Sequence, residues 1–115
     1  MSAGKLDIVI EEGSDFFLHL TWLDNSGDAI DLTGYSAAMK IKEAVGGTLI
    51  DNLTTGSSEI TLGGSAGTIQ VDVAASITAA YDFDWGVYDL WVDDGSGVVT
   101  RIVEGSVQFS REVSD

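Results

Sequence analysis

Hydrophobic residues recur at every second position along most of this chain. Between Gly67 and Val73, Ile69, Val71 and Val73 alternate with Thr68, Gln70 and Asp72, the period of a strand with one face in a core and one in water. Phe16, Leu18, Leu20 and Trp22 alternate in the same way with Phe17, His19 and Thr21. In the stretch from Gly86 to Asp93, Tyr88, Leu90 and Val92 fall on one side; Val87, Asp89, Trp91 and Asp93 fall on the other. Weaker versions of the pattern predict strands at residues 6–10, 36–42, 48–53, 59–62 and 98–109. The last is long, its alternation drifts near Ile102 and Val103, and it contains Gly105; a glycine inside a strand predicts a bulge or a corner between sheets there.

One stretch departs from the period of two. Val73, Ile77, Ala80 and Tyr81 have helical spacing, which predicts one short helix from Ala74 to Tyr81, with Ser76 as its amino-terminal cap. It would close one end of the fold. Turn-forming runs separate the strands: Asp24-Asn25-Ser26-Gly27, Gly46-Gly47, Thr55-Gly56-Ser57-Ser58, Gly63-Gly64-Ser65-Ala66-Gly67 and Asp93-Asp94-Gly95-Ser96-Gly97. Glycine adopts the positive φ that hairpins demand, and Asn and Asp tolerate it. Short strands at such spacing predict an all-β fold, an antiparallel β-sandwich of Ig-like or Greek-key type. The 115 residues form a single domain, residues 1–115, with no repeat or linker.

Charge narrows the function. Nineteen acids against five bases give a formal net charge of −14. A phosphate backbone or an anionic membrane would be repelled, so neither nucleic acid nor membrane is an expected partner. The acids are scattered along the chain rather than grouped as in a DNA mimic, and they keep free molecules apart in solution. Cysteine is absent, so the fold holds by packing and backbone pairing. The first residues carry Lys5 and Asp7 without an apolar run, so no signal peptide is expected and synthesis in the cytosol is. Proline is absent too, leaving strand edges to charge, bulges or a partner.

Candidate chemistry is thin. His19 is the only histidine; it lies mid-strand, far from any nucleophile-bearing turn, and is expected as a partly buried, hydrogen-bonded strand residue rather than a general base. The two Asp-Gly loops lack the ligand spacing of an EF-hand and are expected to be turns. The Gly63–Gly67 run lacks the Lys and following helix of a phosphate loop. No enzyme activity, cofactor or metal is therefore expected.

Aromatic residues and lysines give the better leads. Trp22 shares its strand's apolar face and is expected in the core. Trp91 shares a face with Asp89 and Asp93, which makes it a candidate contact residue or the cover of a core edge. Trp85, after Asp82-Phe83-Asp84, is a weaker candidate of the same kind, expected to cover a core edge under a loop. Lys40 and Lys42 share one strand face in an otherwise acidic chain, either as solvated lysines or as partners for a neighbour's carboxylates.

The order of short motifs carries a resemblance. Gly13-Ser14-Asp15-Phe16 and Ile30-Asp31-Leu32-Thr33-Gly34-Tyr35 lie in the first half. Glu59-Ile60-Thr61-Leu62, Ala66-Gly67-Thr68-Ile69-Gln70-Val71, Ile77-Thr78-Ala79, Trp85-Gly86-Val87-Tyr88-Asp89-Leu90, Gly95-Ser96-Gly97-Val98-Val99-Thr100-Arg101 and Glu104-Gly105-Ser106-Val107 follow in the second. From about Ile8 to Val113 this order resembles small β-sandwich domains of tailed-phage and prophage virion proteins, notably the amino-terminal domain of siphophage baseplate upper proteins. The resemblance implies a structural or adaptor subunit of a phage tail, neck or baseplate. Its partners would be other virion proteins, in multiple symmetric copies, and its location the virion. A small carbohydrate- or receptor-binding module of a tail is the alternative, and it would need an aromatic platform or a concave groove on one sheet.

Overall fold

The computed structural model describes residues 4–111. Among them the strands are β1 (Gly4–Lys5), β2 (Ile8–Glu11), β3 (Phe16–Thr21), β4 (Ser36–Lys42), β5 (Leu49–Thr54), β6 (Ile60–Leu62), β7 (Thr68–Val73), β8 (Trp85–Asp93) and β9 (Val99–Ser110). They form two sheets. The larger runs β1-β9-β8-β4-β5, with β2 also on β9; the smaller runs β3-β7-β6. The strand periods follow the sequence because one side of each sheet must leave water. Met39, Ile41, Leu53, Ile69, Val71, Leu90 and Val107 are all fully buried between the sheets, each such side chain contributing roughly 1.5–3 kcal/mol by burial. The two sheets enclose one core, so the domain is an all-β sandwich.

Three details differ from the sequence expectations. First, the sandwich is not wholly antiparallel: β1 and β2 run parallel to β9. Asp7 divides what the pattern suggested was one strand. Its carboxylate accepts the Ser106 N–H at 3.0 Å, and that bond holds the carboxyl below its ordinary pKa. The preceding Leu6 carbonyl accepts the Tyr88 hydroxyl at 2.6 Å. Here the backbone of residue 6 lies directly over Gly105, where any Cβ would collide with the Leu6 carbonyl. Gly105 therefore serves close approach of the amino-terminal segment, not a corner. β9 stays in the large sheet throughout and pairs with β8 along its length.

Second, the bulge in β9 falls at Ile102. Leu90 pairs with Val103, but Trp91 pairs with Arg101. The extra residue reverses the alternation beyond it. Ile102 packs against the core margin, and Arg101 is turned out beside Trp91.

Third, the helix is shorter than expected. α1 spans Ala75–Thr78, with Ala74 at its cap position and no side-chain cap from its own neighbourhood. Ser76 lies inside it. The cap comes from across the fold: Asp15 accepts the Ala75 N–H at 2.8 Å. Thr78 is fully buried and ties the helix to the turn before β3. Its hydroxyl donates to the Ser14 carbonyl at 2.8 Å and accepts the Gly13 N–H at 3.1 Å. Tyr81 follows, donating to Asp51 at 2.6 Å; burial and then that carboxylate push its hydroxyl pKa strongly upward. Its ring joins Phe83 and Phe109 in an aromatic cluster at this end of the sandwich.

Candidate functional site

The outer face of the large sheet carries the most unusual surface of the molecule. Its side chains line up in rows across the strands. One row is Thr54, Ala38, Trp91, Arg101; the next is Asn52, Lys40, Asp89, Glu104, Lys5; a third contains Lys42, Val87 and Ser106. Ala38 beside Trp91 leaves the middle low, while longer side chains and the loop at Val45 and Gly46 stand around it. The result is a groove of about 740 Å3.

Four of the chain's five cations line this groove: Lys5, Lys40, Lys42 and Arg101. Of the described acids, only Asp89 and Glu104 do so. Glu104 is shared by Arg101 at 3.2 Å and Lys5 at 3.4 Å. Lys40 and Lys42 form no ion pair with any described residue. The Arg101 guanidinium lies over the Trp91 ring, 5.3 Å from its centroid, an attraction of about 0.5–1 kcal/mol at an exposed site. Trp91 is half-buried, so its indole is held in place yet accessible. Tyr88, its neighbour on β8, points inward, and burial followed by the charge of Asp7 raises its hydroxyl pKa to about 12.

The fifth cation is engaged elsewhere. Arg111 bonds Asp82 at 3.1 Å and Asp84 at 3.2 Å and covers the Phe109 ring. Trp85 is on the same outward side of β8 as Trp91, and it is 62% exposed. It does not cover a core edge, contrary to expectation. Six residues of strand separate the two indoles by about 20 Å, and Trp85 stands outside the groove. The site thus brings together Trp91, Lys40 and Lys42, leaves out Trp85, and adds Arg101 and Lys5. Trp22 is half-buried at the margin of the core rather than within it.

Other candidates resolve into structure. His19 is exposed on the outer face of β3, not partly buried, and its side chain makes no hydrogen bond with any described residue. The two Asp-Gly loops are twins. In one, Asp24 accepts the N–H groups of Ser26 at 2.9 Å and Asp28 at 3.0 Å. In the other, Asp94 accepts those of Ser96 at 2.7 Å and Val98 at 3.2 Å. Both carboxylates are used in shaping a turn. Gly64–Ala66 form a 3-10 turn linking β6 and β7.

No protein-family model and no curated protein sequence matches the chain. The fold and the groove therefore define a class only: a small all-β sandwich with a cation-lined, Trp-centred outer face.

Proposed function

We propose that this chain is a structural adaptor subunit of a tailed bacteriophage particle, associated with its tail, neck or baseplate, and that it works through protein–protein contacts at the Trp91 groove. The observation that carries the reading is the pairing of Trp91 with Arg101 at the centre of that groove. Trp and Arg are the residues most enriched among interface anchors, and lysines around them supply a polar rim. The motif order supports the phage setting. The four cations give an acidic molecule one surface on which an acidic partner is welcome. Mass spectrometry of purified particles tests the reading: the chain is expected at a copy number matching the symmetry of the tail or neck. Its presence in infected-cell extract but not in purified particles overturns it.

The groove also keeps a carbohydrate- or receptor-binding module in view, since it is concave and holds an aromatic ring. Against that reading, one face of the Trp91 ring is already covered by Arg101, which leaves less aromatic surface for a sugar to stack on. Titration with glycans distinguishes the two.

A further inference from the structure

The opposite outer face, on the small sheet, has the complementary character. Phe17 projects from β3 with 68% of its surface exposed. It is paired across the strands with Asp72. Asp15, Glu59 and Asp72 line a shallow hollow around Phe17 and Ile77, with no cation among the lining residues. Ile77 is itself 42% exposed. An apolar side chain framed by three carboxylates thus stands on one side of the sandwich. A Trp-centred groove lined by four cations is on the other. The core lies between them, so the two cannot meet within one molecule.

We infer that the two faces dock on each other between copies of this chain, the Phe17 face of one seated in the Trp91 groove of the next. This rests on the reading of the groove as a protein-docking surface and names its occupant. The carboxylates of Asp15, Glu59 and Asp72 meet Lys40, Lys42 and Arg101, and Phe17 covers the apolar floor near Ala38 and Val87. Lys40 and Lys42, which form no ion pair within the described chain, gain partners. The overall charge of −14 opposes association at long range, but in ~0.15 M salt charges more than about 8 Å apart are largely screened and local complementarity decides. Because the two surfaces differ, the contact is head-to-tail. It closes into a ring if the rotation per copy divides a circle, and otherwise continues as a filament.

Sedimentation velocity of the full chain over a concentration series at ~0.15 M salt tests this. Species larger than the monomer are expected to grow with concentration. The variant Lys40→Glu/Lys42→Glu should weaken association roughly tenfold or more, as loss of an interface anchor does. Glu59→Lys/Asp72→Lys should do the same. An equimolar mixture of the two restores association, because each variant's altered face then meets the other's. Phe17→Ser, which leaves both charge sets unaltered, should also weaken it and serves if a charge variant melts early. A monomer at every concentration overturns the inference. So does association that survives these substitutions, or a mixture that stays monomeric. A monomeric chain still found in particles at a symmetric copy number would sink only self-docking and leave the adaptor reading standing.

Discussion

The two outer faces of the sandwich are built by the same rule and end with opposite chemistry. Both are the wet side of strands whose other side fills the core. On the large sheet, the rows across β5, β4, β8, β9 and β1 collect Lys5, Lys40, Lys42 and Arg101 around Trp91. On the small sheet, β3 and β7 set Phe17 beside Asp72, with Asp15 and Glu59 close by. Along the sequence the few cations look scattered, and folding is what gathers four of the five on one face. Residues far apart in the chain become neighbours across strands, so charge segregation is a property of register. A protein so acidic can still present one attractive face, and the core that separates the faces fixes how they are oriented.

The two faces rest on one shared support. Met39 is fully buried beneath the groove, between the lysine-bearing positions of β4 and the small sheet. Met39→Ala is expected to lower unfolding stability by about 2–5 kcal/mol, measured by denaturant titration, through lost burial and the cavity left behind. Both faces lose their shape together. A smaller effect separates the ends of the small sheet from its face. Thr78→Val leaves the Gly13 N–H and the Ser14 carbonyl without the hydroxyl they share. The expected loss is about 1–3 kcal/mol, with little effect on the Trp91 groove.

Alkaline pH probes the amino-terminal strand that carries Lys5. Tyr88 has an ordinary pKa of 10.0 when unfolded and about 12 when folded. The folded state therefore favours the neutral hydroxyl, and its contribution is fully present below pH about 10. It is lost progressively as pH rises from there toward about 12. Melting temperature should fall over that window, and Tyr88→Phe should reduce the slope while lowering stability at neutral pH through the lost bond to Leu6. A slope unchanged by this substitution would show that Tyr88 does not couple to folding. The smallest expected effect is on stability from the faces themselves. Phe17→Ser and Lys40→Glu/Lys42→Glu are each expected within roughly 0.5 kcal/mol of the parent in unfolding, because those side chains face solvent. Large losses would mean that the faces serve folding rather than docking.

The strand pattern was legible because alternation reports directly on which side leaves water; the runs at Phe16–Thr21, Thr68–Val73 and Trp85–Asp93 match their sequence readings to within a residue. That Lys40 and Lys42 share a strand face, and that Trp91 shares another with Asp89 and Asp93, followed from the same alternation; that the pairing of β4 with β8 joins them into one surface did not. What stayed hidden depends on pairing. Alternation carries no strand direction, so the parallel pairing of β1 and β2 with β9 was not visible, nor was Lys5's place at the groove. Arg101 was hidden by the bulge at Ile102, which reverses the side it faces; the drifting alternation near Ile102 and Val103 was its one sequence signal. The helix was overread because Ala80 and Tyr81 share its spacing while Tyr81 belongs to the aromatic cluster beyond it. Its cap was misplaced because Asp15, sixty residues away, supplies it. Trp85 was misjudged because it was placed in the connection before a strand read from Gly86, whereas β8 begins at Trp85 and carries it on the same outward side as Trp91.

The role proposed for the Trp91 groove is to hold this protein in place. It is tested most directly by producing particles in a host that supplies Lys40→Glu/Lys42→Glu in place of the parent chain, and measuring copies per particle by mass spectrometry, with a melting curve of the purified variant alongside. An unchanged melting temperature and a chain depleted from particles are expected. Incorporation at the parent copy number, by a normally folded variant, would overturn that role.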